Sequence, residues 1–257
     1  MIGYNERVSF RHGLAFGALV GVLTVAIGTM RGAGQNEIMV IALLVVAAVA
    51  APYLALHGFV RRRFVAAVYR SDARELERFG RLLVTFSGRE KRPLLTSLVD
   101  HSIAEAEGRW ADGVLLCRRL LGGELQPKMR TLVESDLAWG LVMTGELVQG
   151  LSLAERAVRA KGVRQVELRA AVEQTHAVAL FLSGRITEAH AELERLSSLP
   201  SRSPRAKAIR WFYLGEARQA VGRPDAVGAW KQAVASEPGG PWGNRAEARL
   251  AATAAYR

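Results

Sequence analysis

Five histidines and one cysteine are the side chains in this sequence best suited to hold a metal or attack a substrate. His12, His57, His101, His176 and His190 stand singly. None has H-E-x-x-H spacing, which would set two imidazoles one helical turn apart, and no carboxylate joins them in a metal-ligand pattern. The lone Cys117 excludes a disulfide framework and any cysteine-rich metal site. Phosphate chemistry is equally unsupported, because neither G-x-G-x-x-G nor G-x-x-x-x-G-K-S/T occurs and Gly122-Gly123 reads as a helix stop. Cys117 falls on the buried side of a helix by spacing, where a thiol is inert. The expectation is a protein with no catalytic, metal or cofactor residues that works by presenting a surface.

A surface needs elements to hold it, and the clearest are near the C-terminus. Trp211, Leu214 and Gly215 share one helical face, Gly222 and Pro224 break the helix, and Ala226, Trp230 and Ala233 continue on a second helix that Pro238 stops. Trp-x-x-Leu-Gly, then Gly, then Ala, an aromatic, Ala and Pro resembles the tetratricopeptide repeat signature. Arg218 departs from it, standing where that family usually has Tyr, and the turn after Gly222 is one residue short. Upstream, Gly108, Gly145 and Gly184 precede Gly222 at intervals of 37, 39 and 38 residues. Each glycine is followed by a small residue (Gly113, Gly150, Ala189, Ala226), then Cys117, Ala154, Leu193 or Trp230, then Leu120, Ala157, Leu196 or Ala233. Small residues let two helices approach while the large ones fill the space around them, so Gly215→Leu should overpack and Gly215→Ala should be tolerated. A terminal segment from Trp242 to Tyr256 reads as the solvating cap of such an array.

The N-terminal part has a different character. Gly13 to Met30 carries no charge and Ile38 to Val60 has only His57, runs of roughly 27 and 34 Å as helices against a hydrocarbon core of about 30 Å. Gly13, Gly17 and Gly21 lie on one face, suited to closing a hairpin on the Ala-rich second helix or to a dimer seam. The formal charge of +11 is concentrated just after these runs, residues 57–92 holding ten basic and four acidic side chains. Arg7, Arg11, Arg61, Arg62 and Arg63 flank the pair, which places both termini on the cytoplasmic side. From Phe64 to Phe86 a further helix, or a continuation broken near Ser71, carries the stripe Leu76, Phe79, Leu82, Leu83 and Phe86, expected to pack on the first repeat. Arg61, Arg62, Arg63 and Arg70 are candidates for contact with anionic lipid headgroups.

The fold class expected is therefore all-α: a transmembrane helical hairpin over 1–60, a basic juxtamembrane amphipathic helix over 61–92, and a tetratricopeptide-like α-solenoid of about four helix pairs with a capping helix over 93–257. This layout is similar to that of HemY-type bacterial inner-membrane proteins, implying an integral inner-membrane protein. The repeat resemblance implies a concave face lined by the first helix of each pair. Aligned on the glycines, that face takes Leu95, Leu98, Trp139, Val142, Val178, Phe181 and Phe212, with Glu105, Gln174, Glu216 and Gln219 among them. Basic residues that would clamp a carboxylate are missing at these positions. The expected partner is a protein or peptide segment of apolar character anchored at Trp139, beside the lipid bilayer held by residues 13–60. The alternative is a constitutive structural subunit of an envelope or transport assembly. No nucleic acid is expected, because few of the groove positions are charged.

Overall fold

A computed structural model describes residues 35–255, with eleven α-helices, one 3-10 turn and no strand among the described residues. The chain forms two compact units. One takes the described residues up to Ala67 together with Arg74–Val99, and the other takes Val68–Ala73 with Asp100–Arg257.

The first unit is built on α1 (Gln35–Arg70), α2 (Ala73–Thr85) and the first half of α3 (Arg92–Ala106). Ser71, the one non-glycine residue with positive φ among those described (φ 52°), ends α1 and turns the chain into α2. The amphipathic stripe expected of α2 then folds back on α1. Phe79 packs edge-on to Phe59 with ring centroids 6.1 Å apart, and Phe86 meets Tyr53 at 5.9 Å. Leu76 and Phe79 are buried, whereas Leu82 remains 40% exposed. Gly80 is where α2 meets α3, since a Cβ there would lie 2.5 Å from Val99.

Of the two spans expected in this region, one is outside the description and the other changes. The run Gly13–Met30, with its three glycines, lies outside the described residues. The run Ile38–Val60 forms part of α1, but among the described residues no helix is long and apolar enough to cross a membrane. The physical reason is that the later turns of α1, Tyr53 and Phe59 among them, pack against α2, a helix carrying Arg74, Glu75, Glu77, Arg78 and Arg81, instead of facing lipid. Its earlier turns are open: Met39, Val40, Leu43 and Leu44 are 53–71% exposed.

The second unit holds the repeats. They run as α4 (Trp110–Leu121) after the end of α3, then α5 (Pro127–Met143) with α6 (Leu147–Arg159), α7 (Val166–Leu182) with α8 (Ile186–Ser197), α9 (Pro204–Ala220) with α10 (Ala226–Ser236), and finally α11 (Pro241–Ala255). Gly108, Gly145, Gly184 and Gly222 all have positive φ, between 72° and 91°. At each, the next residue's N–H reaches back to the carbonyl of Ala104, Leu141, Leu180 or Arg218 at 2.8–2.9 Å, while the glycine N–H bonds to Glu105, Val142, Phe181 or Gln219. That pair of bonds closes a helix on a left-handed residue, which glycine adopts without steric cost. Proline opens α5, α9 and α11 at a position where no N–H is needed, and the Ser203 hydroxyl accepts from Ala206 N–H at 3.1 Å to cap α9.

The small residues that follow the turns are contact points. Gly150 sits under Val142 and the Ala138 carbonyl, and Ala189 and Ala226 are buried. Gly215 lies so close to the Trp230 indole that a Cβ would stand 2.5 Å from Cδ1. This overturns the expectation that alanine is tolerated there: a single methyl already collides with a side chain that is 1% exposed.

Candidate binding face of the helical repeats

The first helices of the pairs bring their aromatic side chains together. Trp139 of α5 meets Trp110 of α4 at 6.1 Å and Trp242 of α11 at 6.1 Å. Trp242 continues to Phe212 at 5.6 Å and Tyr213 at 5.5 Å on α9, and Tyr213 continues to Phe181 of α7 at 5.6 Å. Edge-to-face and tilted pairs of this kind add about 0.5–1.5 kcal/mol each beyond the apolar area they bury. Burial pushes the Tyr213 hydroxyl up to about 12, with Arg245 opposing and Glu216 reinforcing, so it stays protonated at neutral pH.

Charge enters this cluster at one point. Glu216, on α9 one turn beyond Phe212, is 9% exposed and accepts from Arg249 Nη2 through Oε2 at 2.5 Å. Its second oxygen, Oε1, is buried without a hydrogen-bond partner among the described residues, and so are the indole nitrogens of Trp139 and Trp242. The Arg245 guanidinium lies 4.4 Å from the centre of the Trp242 ring, at cation–π distance.

The residues assigned from sequence to a concave face are thus distributed as follows. Trp139, Val178, Phe181, Phe212 and Glu216 belong to or border the cluster, all buried except the half-buried Phe181. Gln219 continues the line of Phe212 and Glu216 at helical spacing and is exposed. Val142 turns toward Gly150 of α6 instead. Gln174 serves the fold, accepting from Arg210 Nε at 2.8 Å while Arg210 Nη1 caps the end of α8 at the Leu196 and Leu199 carbonyls. Arg210 is 3% exposed, and burial lowers its pKa. Leu95, buried, and Leu98, half-buried, fall in the first unit. Of the arginines, Arg63 pairs with Glu75 and lies 5.3 Å from the centre of the Phe79 ring, so it holds α2 to α1; Arg62 and Arg70 are exposed and Arg61 is half-buried.

Sequence reasoning did not place Trp110, Tyr213, Arg249 or Trp242 in this cluster. One signal was present in the last segment: Trp242, Ala246 and Arg249 stand at i, i+4 and i+7, one face of a helix. A second repeat signal also went unread, the arginine directly after the turn glycine in three copies. Arg109 and Arg185 pair respectively with Asp112 and Glu188 in the next helix, and Arg223 pairs with Asp225, the residue just before α10.

A separate polar group lies behind α4. His101 sets Nδ1 and Nε2 at 3.7 and 3.8 Å from Cys117 Sγ and Nε2 at 3.5 Å from Asp136 Oδ2. Burial, the largest influence on His101, lowers its pKa, but the contacts with Asp136 and Cys117 outweigh it and hold the imidazole well above its ordinary value. Burial raises Cys117, which is fully buried, opposite to what a thiolate nucleophile requires. Among the described residues no group of three or more His, Cys, Asp and Glu is placed to hold a metal.

No protein-family model matches the sequence and no curated protein is significantly similar to it. Among solved structures, the fold is similar to the crystal structure of Bacillus thuringiensis PlcR in complex with the peptide PapR7 and DNA. The TM-score is 0.55 and the identity 15%, over 84% of this chain and 93% of that chain. At that identity the likeness speaks for the fold, a tetratricopeptide-like array of helix pairs. It lends nothing to the HemY-type layout.

Proposed function

We propose that this chain is a membrane-attached helical-repeat adaptor whose concave face takes a protein or peptide segment. The observation that carries this reading is the aromatic face of α5, α7 and α9, with Glu216 at its edge keeping one buried oxygen without a partner. A face of aromatic anchors around one desolvated charge is the usual composition of a binding hot spot. PlcR, whose fold is similar, binds a peptide in its crystal structure. The reading makes the chain a non-enzyme, in keeping with the engagement of Cys117, His57, His101, His176 and His190 in packing and ion pairs.

Attachment to the bilayer is supported by the apolar run 13–30, by the exposed apolar residues of α1 and by Arg61 to Arg63 after them. In this arrangement the repeats lie on the cytoplasmic side, and Arg62 and Arg70 face anionic headgroups.

The second reading, a constitutive structural subunit, is favoured by one observation: Trp242 of the chain's own α11 fills the aromatic face against Trp139. Photoreactive residues in living cells separate the two. Placed at Gln219, beside the face, the probe should crosslink to one discrete polypeptide, whereas at Val148, 87% exposed on α6, it should not. Crosslinking at Val148 alone would favour the structural subunit. PlcR is also bound to DNA in its structure, so the expectation of no nucleic-acid partner needs its own arm: purified full chain titrated with duplex DNA at physiological salt should show no saturable binding.

A further inference from the structure

In a repeat array each helix touches its sequence neighbours, and a capping helix need only cover the last pair. α11 covers α10 and α9, but Trp242 also reaches Trp139 on α5, the first helix of a pair two repeats earlier. Its contacts follow one face: Trp242 is 1% exposed, Ala246 is fully buried, and Arg249 bonds to Glu216. The positions between, including Asn244, Arg245, Glu247 and Ala248, are exposed. α11 is an amphipathic helix laid on the aromatic face, as a bound helical peptide would be.

The fit leaves buried groups unmet. Arg249 uses one nitrogen on one oxygen of Glu216, so the carboxylate is held on a single side while Oε1 stays buried and unpartnered. Trp139 Nε1 is likewise buried without an acceptor. A guanidinium that engaged both oxygens as a fork would satisfy what Arg249 does not. The connection from α10 to α11 is short and contains Pro238, Gly239 at φ 68° and Gly240, residues that allow a change of direction without disturbing either helix.

Resting on the partner-binding reading above, we infer that α11 is a resident occupant of that face. The external partner is then an amphipathic helix of the same pattern: an aromatic residue, a small residue four positions on and a basic residue seven positions on. It binds by displacing α11.

The test uses the full chain and a fluorescent synthetic peptide of residues 240–257. Arg249→Ala in the chain loosens the resident helix without touching the face, so the peptide should bind this variant at least about tenfold more tightly than wild type. Adding Glu216→Gln to the variant should remove most of that gain. Hydrogen exchange gives an independent reading in the same proteins: Arg249→Ala should speed exchange in α11 while α9 and α10 stay protected. Equal or undetectable peptide binding to both chains, or exchange of α9, α10 and α11 as one block, would overturn the inference. So would a dimer formed by exchange of α11 between copies, since the occupant would then be a second copy. If crosslinks from Gln219 persist while the peptide fails to bind, only this inference falls. If the peptide binds but Gln219 yields no crosslink in cells, the reading of an external partner falls instead.

Discussion

Gly215 lies directly against the indole of Trp230, leaving no room for a methyl group between α9 and α10. Gly215→Ala should therefore destabilise the full chain by about 1–3 kcal/mol despite alanine's higher helix propensity. Gly228 is the matched control, because it is also helical but a Cβ there would meet nothing within 4 Å. Gly228→Ala should be neutral or stabilising by up to about 1 kcal/mol. Thermal unfolding of the two variants decides the point, and equal melting temperatures would mean that α9 and α10 do not cross at Gly215.

The repeat frame was legible because its turns demand a particular backbone. Gly108, Gly145, Gly184 and Gly222 were readable as inter-helix glycines from their intervals, and each occupies a left-handed position. The small positions after them were readable from their spacing. What spacing could not carry was which distant helices meet. Trp139 and Trp242 are distant in sequence, and helix periodicity says only that each has a buried side, not that the two sides meet. Arg210 and Gln174 show the same limit: both types are usually exposed, and their burial depends on carbonyls at the end of α8 that only the folded chain presents. The run 38–60 shows another limit. Apolar length alone suggested a span there, whereas its later turns pack Phe59 and Tyr53 against the charged α2.

The pH dependence of stability should carry the mark of His101. Its folded pKa is raised, so the protonated imidazole contributes stability that is fully present below its unfolded value, about 6.5, and is lost as pH rises through the folded value. Burial raises Glu105, with Asp136 adding to the effect and His101 and Arg205 opposing it; burial also raises Cys117, and both groups act in the same direction because the folded chain holds their protons more tightly. The melting temperature of the wild-type chain should fall between pH 6 and 9 more steeply than that of His101→Gln. Parallel profiles would show that the imidazole is not charged in the fold.

Topology can be tested with single cysteines at Gln35 and Ser201 in a Cys117→Ala chain. With no helix among the described residues long and apolar enough to cross a membrane, an impermeant thiol reagent on intact cells should label neither position, and both after lysis, if the repeats lie on the cytoplasmic side. Labelling at 35 but not at 201 would mean that the chain crosses the bilayer between them. Labelling at 201 on intact cells would overturn the cytoplasmic placement of the repeats.

Whether α11 is merely an end cap or is seated on the aromatic face can be read from energetic coupling between Trp139 and Trp242. Each is buried, 8% and 1% exposed, so each alanine variant should cost about 3–5 kcal/mol through lost apolar burial and the cavity left behind. If the indoles act on each other across the 6.1 Å that separates their centroids, removing the second after the first should cost less than removing it alone. The difference should be about 0.5–1.5 kcal/mol, the size of an aromatic pair interaction. A cap that touched only α9 and α10 would leave the two losses additive, since Trp139 lies on α5. Denaturant titrations of the two single variants and the double variant give the coupling directly. A value near zero would detach Trp242 from the face and, with it, the argument that α11 occupies the place of a partner.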